Sequence, residues 1–147
     1  MQLAKRLAIA AALATLCAPA AALDYRAAAR PAILYDAPSA TGKKLYIAST
    51  DTPLEVVVTL EKWVKVRDRD GKLAWIARSD LADYQTVMVA VDSATVREQP
   101  DETAGTRFMA SRGVVLRLSG PAKGSWLPVR HADGDTGYIR RIDVWGD

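Results

Sequence analysis

Apolar and polar positions along this chain alternate in short bursts, not in long helical waves. Leu54, Val56, Val58 and Leu60 alternate with Glu55, Val57 and Thr59, a period of two that predicts a strand with the first set turned inward. Thr86 to Val91 and Val114 to Leu118 are rich in β-branched residues and predict two more strands. Between the apolar bursts lie Pro38 to Gly42, Pro100 to Gly105 and Ser119 to Gly124. These are turn compositions, because Gly supplies a positive φ and Pro presets the first turn position. Asp70-Gly71 and Asp133-Gly134 fall between strands, where a tight hairpin wants them. Arg78 to Leu81 and Arg141 to Val144 each predict one short helical turn, and no stretch after residue 22 sustains an amphipathic helix. The class expected is all-β.

The elements occur twice. Trp63-Val64-Lys65-Val66-Arg67, a polar turn and Leu73-Ala74-Trp75-Ile76 reappear as Trp126-Leu127-Pro128-Val129-Arg130, a polar turn and Gly137-Tyr138-Ile139. Trp63 maps on Trp126, Val66 on Val129, Gly71 on Gly134, Trp75 on Tyr138 and Ile76 on Ile139, all at an offset of 63. Pro38 maps on Pro100 at an offset of 62, a drift of one loop residue. Ordered pairs at a near-constant offset mean duplication. About five short strands in a unit of about sixty residues predict a small barrel, whose closure removes exposed sheet edges. A unit of that size buries only about 60% of its unfolded surface, so two units are expected to pack together. The join, Asp80 to Gln85, has no Pro, Gly or Ser-rich spacer and predicts a tight connection.

The N-terminus changes the picture of composition. Lys5 and Arg6 precede an apolar run from Leu7 to Leu16, and Ala20-Ala21-Ala22 offers a small-residue cleavage pattern before Leu23. This is the layout of a cleavable secretory signal peptide over residues 1–22. The run is about ten residues, short of the roughly twenty that span a bilayer. Cys17 follows Leu16, where a lipoprotein signal needs a small residue, so no lipid anchor is expected there. An exported, periplasmic protein is predicted, and its mature part has no Cys to mispair in an oxidising compartment. The full chain of 147 residues carries 20 Lys+Arg against 17 Asp+Glu. Without Lys5 and Arg6 the balance is 18 against 17, or +1. A nucleic-acid partner needs a basic domain, and this is not one.

The two units resemble the bacterial SH3-like (SH3b) family, which occurs in exported proteins as single or tandem copies. The second unit carries the resemblance in Thr95-Val96-Arg97-Glu98-Gln99-Pro100, Gly113-Val114-Val115-Leu116, Trp126-Leu127-Pro128-Val129 and Gly137-Tyr138-Ile139. The first carries it in Trp63-Val64-Lys65-Val66 and Ala74-Trp75-Ile76, with Tyr35 where the family shows Arg and Ala74 where it shows Gly. The resemblance covers nearly all of residues 30–145. It implies two tandem SH3-like β-barrels, assigned to residues 23–83 and 84–147. Ala32-Ile33-Leu34-Tyr35-Asp36 looks like the opening of eukaryotic SH3 domains, but an inserted Ile and a missing second Tyr argue against a Pro-rich ligand.

The candidate ligand-binding residues are Trp63, Trp126, Tyr35, Lys65, Arg67 and Arg130. If Val64/Val66 and Leu127/Val129 point inward, alternation puts each Trp outside beside cations, a platform for a sugar or peptide. The competing reading packs both Trp under a loop or at the seam between units. Trp75 and Tyr138 are expected to be partly buried packing groups. His131, beside Asp133 and Asp135, reads as a solvated turn. One His and one Cys are too few for a zinc site, which wants three or four ligands. A Gly-x-Ser-x-Gly elbow, a calcium loop and a phosphate loop are all missing, so no cofactor, metal or catalytic residue is expected. Family resemblance implies a non-enzymatic envelope binding or adaptor protein whose partner is cell-wall peptidoglycan or an envelope protein. The alternative is a periplasmic protein–protein scaffold without glycan binding.

Overall fold

The computed structural model describes residues 22–147; the signal-peptide reading, Cys17 included, rests on residues outside these. The first unit contains β1 (Asp24–Ala27), β2 (Ala32–Tyr35), β3 (Lys44–Ala48), β4 (Pro53–Thr59), β5 (Trp63–Arg67) and β6 (Leu73–Ala77). The second contains β7 (Thr86–Val89), β8 (Ser93–Arg97), β9 (Thr106–Ser111), β10 (Val115–Leu118), β11 (Trp126–Arg130), β12 (Thr136–Arg140) and β13 (Val144–Trp145). All pairings are antiparallel, in the orders β1-β4-β5-β6-β2-β3 and β13-β7-β10-β11-β12-β8-β9. The two sheets share one topology, as duplication requires. The expected short helical turns are single 3₁₀ turns at Arg78–Asp80 and Arg141–Asp143. Both Asp-Gly hairpins form, with Gly71 at φ +84° and Gly134 at φ +102°.

Each sheet curls round its own core. Leu34, Leu54, Val64, Val66 and Ile76 fill the first with small alanines between them. Val87, Val89, Val96, Leu116, Leu127, Val129 and Ile139 fill the second. Closure is partial, since β3 and β1 end the first strand order and share no register. The alternation read along β4 holds only to Val56. There the register against β5 slips, Val56 facing Val66 but Val58 facing Lys65, so Val57 is an inserted residue. A bulge of this kind re-aims everything beyond it. Val57, Val58 and Leu60 are therefore 40%, 42% and 43% exposed, and the expected inward positions of Val58 and Leu60 are corrected.

The join is as tight as its composition predicts. Ala82 donates its N–H to Ala27 O at 2.8 Å, and Ala29 donates to Asp80 O at 2.8 Å. Asp51 is the meeting point. It adopts φ +66°, a left-handed conformation that Asp tolerates better than most residues. Its carbonyl accepts from Thr86 Oγ1 at 2.7 Å, and its Oδ1 accepts from Tyr84 OH at 2.6 Å. Arg117 Nη2 lies 3.3 Å from the same Oδ1, and its guanidinium stacks 3.7 Å from the Tyr84 ring centroid. On the other side Tyr25 meets Trp145 edge to face, with centroids 5.3 Å apart. Trp145 is placed there because β13 pairs with β7 through Val144–Val89 and Trp145–Met88.

Two expectations follow for stability. The Asp51 hydrogen bond, then burial, holds the Tyr84 pKa above its ordinary value. That contribution is present below the ordinary tyrosine range and is lost as pH rises through the raised folded value. Tyr84→Phe should cost about 1–2 kcal/mol in chemical unfolding at neutral pH, and the gap to wild type should shrink in alkali. Gly137 lies where a Cβ would sit 2.6 Å from Val96 Cγ1 and 2.7 Å from Arg97 O. Gly137→Ala should therefore lower stability by about 1–3 kcal/mol, read from the same unfolding curves.

Candidate functional site

The Asp70-Gly71 hairpin fixes which outward side chains of β5 and β6 meet. Asp68 Oδ1 accepts from the N–H of Asp70 at 3.0 Å and of Lys72 at 2.9 Å, while its Oδ2 accepts from Tyr46 OH at 2.8 Å. Burial, then the Asp68 hydrogen bond, pushes the Tyr46 pKa well above its usual value, so the phenol stays a donor and ties the turn to β3. Counting back from this turn pairs Lys65 with Trp75 and Trp63 with Ala77. Trp75 pairs in turn with Tyr35 on β2. Lys65, Trp75 and Tyr35 thus form one row across three strands.

Trp63 completes an aromatic cluster on this outer face. Its ring meets that of Tyr35 edge to face, with centroids 5.5 Å apart and planes at 89°. Lys65 Nζ lies 5.9 Å from the Trp75 centroid, at the outer limit of a cation–π contact. Tyr35, Trp63, Lys65 and Trp75 are all half-buried, their inner surfaces packed and their outer ones wet. An open cleft of about 530 Å³ lies against Trp63 and is bordered by Lys62, Arg78 and Ser79. Such a face can stack on a flat apolar ligand surface while the cations hold its polar groups.

The remaining candidates lie elsewhere. Trp126 is 7% exposed, not an outer platform. The backbone turn before β11 matches the one before β5, Lys123 N–H donating to Trp126 O and Leu60 N–H to Trp63 O, both at 2.8 Å, so the difference in exposure lies in the side chains around each indole. Arg67 is engaged too, its Nη1 lying 3.2 Å from both oxygens of the buried Glu55. Glu55 also helps raise the Tyr25 pKa, although burial of that phenol is the larger cause. Arg130 lines a different cleft with Arg117 and His131, near Asp51. His131 Nδ1 lies 2.8 Å from Asp133 Oδ1, and that hydrogen bond, followed by the Asp135 amide, lowers the Asp133 pKa. Among the described residues no group of three or more His, Cys, Asp or Glu is placed to hold a metal. No helix among them is long and apolar enough to cross a membrane.

The equivalent outer row of the second unit is Pro128–Tyr138–Arg97. Arg97 donates to Ala104 O at 2.8 Å, and Lys123 Nζ lies 3.3 Å from Tyr138 OH. The two units share strands but not outer faces. Trp75, expected as a partly buried packing group, is half-buried, and the register counted from the Asp70-Gly71 turn places it beside Lys65.

The family model for the bacterial SH3 domain matches residues 28–83 and 90–146, so the chain belongs to the bacterial SH3 domain family, in two copies. No curated protein matches the chain. Among solved structures it is similar to NlpC2 from Trichomonas vaginalis, at 11% identity and a TM-score of 0.39, covering 86% of this chain and 49% of that one. It is also similar to NlpC1 from the same organism, at 12% identity and a TM-score of 0.39, covering 86% and 46%. The chain thus spans about half the length of these structures.

The different settings of the two tryptophans predict different costs. Trp126→Ala should destabilise the protein by about 3–5 kcal/mol, as truncation of a buried Trp does. Trp63→Ala should cost less than half of that, measured by urea unfolding of both variants beside the wild type.

Proposed function

We propose that this chain is a non-enzymatic binding or adaptor protein of the bacterial cell envelope, exported to the periplasm, and that its ligand is cell-wall peptidoglycan. The observation that carries the reading is the contiguous Tyr35–Trp63–Lys65–Trp75 face of the first barrel. Family membership supports it, because bacterial SH3 domains typically act outside the cytoplasm and bind peptidoglycan. A half-buried aromatic keeps its orientation without a ligand, so stacking on a sugar or a stem peptide costs little ordering entropy. The non-enzymatic reading rests on His131, whose Asp133 contact lies in an exposed hairpin turn.

A second reading has its own observation. Val57, Val58 and Leu60, turned outward by the β4 bulge, give the first barrel an apolar strip that suits a protein partner. On that reading the chain is a periplasmic scaffold without glycan affinity.

Co-sedimentation of protein beginning at Leu23 with purified sacculi separates the two. Wild type should pellet with sacculi, and Trp63→Ala and Trp75→Ala should weaken binding about tenfold or more while remaining folded by circular dichroism. Absence of wild-type binding would discard the peptidoglycan reading. Cross-linking in cells that recovers one defined envelope protein through Val58 or Leu60 would then establish the scaffold.

A further inference from the structure

Duplication offers an internal comparison at the strand pair facing the join. In the first barrel Glu55 on β4 stands opposite Arg67 on β5, and the two form an ion pair at 3.2 Å. At the matching positions of the second barrel Arg117 on β10 stands opposite Arg130 on β11. Arg130 follows Arg67 at an offset of 63, and Arg117 follows Glu55 at an offset of 62. An opposite-charge pair has become a like-charge pair, which by itself destabilises two adjoining strands.

The second barrel does not compensate these charges from its own residues. The acidic partner of Arg117 is Asp51 of the first barrel, reached through Nη2 alone. Arg130 makes no side-chain hydrogen bond or ion pair among the described residues. Arg117 and Arg130 line a cleft of about 290 Å³ together with Asp51, Val115, His131 and Ala132. Arg117 is held by its stack on Tyr84, so a ligand need not immobilise it. His131 is held by Asp133 at 2.8 Å and by the Phe108 ring, with centroids 5.9 Å apart.

We propose that this cleft binds a single carboxylate, that of a peptide C-terminus, which takes between Arg117 and Arg130 the part Glu55 plays beside Arg67. A planar carboxylate matches the fork of a guanidinium, and here two arginines line one cleft. The ligand carries one negative charge rather than two or three, because Asp51 stands in the wall and repels further charge. Val115 and Ala132 offer apolar surface to the last side chain of the peptide. This site does not depend on the aromatic face of the first barrel, and its occupant need not be a wall component.

The test is a nitrogen-15 NMR titration of the purified protein with acetyl-Ala-Ala, with the C-terminal amide of that dipeptide, and with inorganic phosphate. The free acid should shift the amides around Arg117, Arg130 and His131, and the amide should bind at least about tenfold more weakly. Arg130→Gln should weaken the acid by a similar factor with the remaining spectrum unchanged. Should that variant not fold, Arg130→Glu restores the opposite-charge pair of the first barrel and should abolish acid binding. Equal binding of acid and amide, no shift at these amides, or phosphate binding as tight as the dipeptide would each overturn the proposal.

Discussion

Asp51 is the residue on which the arrangement of the two barrels depends. It sits at a positive φ, a conformation few side chains tolerate, and that turn aims both its carbonyl and its carboxylate at the other barrel. Thr86, Tyr84 and Arg117 all donate to it, across sequence separations of 35, 33 and 66 residues. Each barrel is a unit whose small core leaves it marginal on its own. The sole Cys of the chain, Cys17, leaves no disulfide to compensate. The seam therefore contributes to the stability of the fold, and backbone hydrogen bonds tie the Asp80–Gln85 join to the first barrel.

Duplication has kept what the core needs and released what it does not. Leu54 and Leu116, Val66 and Val129, and Ile76 and Ile139 are all fully buried, because a missing methylene inside so small a barrel leaves a cavity. Outward positions carry no such constraint. Tyr35 and Trp75 face each other where Arg97 and Tyr138 do in the second barrel, and Lys65 stands where Pro128 does. An aromatic, half-buried face on one barrel and a cationic cleft on the other are the result. Two copies of one scaffold thereby present two different chemistries.

Much of this was legible in the sequence, and the misses share a cause. Strand class, duplication and the Asp-Gly hairpins come from local pattern, which short-range sterics control. The inward face of β4 was read two positions too far, to Val58 and Leu60, because a bulge is a tertiary accommodation that leaves the alternation of Leu54, Glu55 and Val56 unchanged before it. Trp63 and Trp126 occupy equivalent positions with the same preceding turn, Leu60 N–H and Lys123 N–H each donating to the Trp carbonyl at 2.8 Å, so local pattern alone does not distinguish the half-buried Trp63 from the buried Trp126. Arg67 stands among the candidate ligand-binding residues because its neutraliser, Glu55, lies on another strand, out of reach of local pattern. Asp51, Tyr84 and Arg117 carried no signal at all, since each is an ordinary polar residue until the fold brings them together.

The chemistry of the seam bears on what the tandem arrangement is for. An apolar seam stabilises but slides, whereas hydrogen bonds to the carbonyl and carboxylate of one residue demand a single geometry. Tyr25 against Trp145 supplies the non-directional part, and Asp51 with Tyr84, Thr86 and Arg117 supplies the directional part. These directional contacts fix the orientation of one barrel against the other as well as contributing stability. Arg117 belongs to both the seam and the cleft, because the side chain that reaches Asp51 also lines the cleft beside Arg130. A ligand held there touches residues of both barrels, and it would favour the docked arrangement over any separated one by its own binding free energy. The seam and the cleft are in that sense one structural feature, and neither barrel could form it alone.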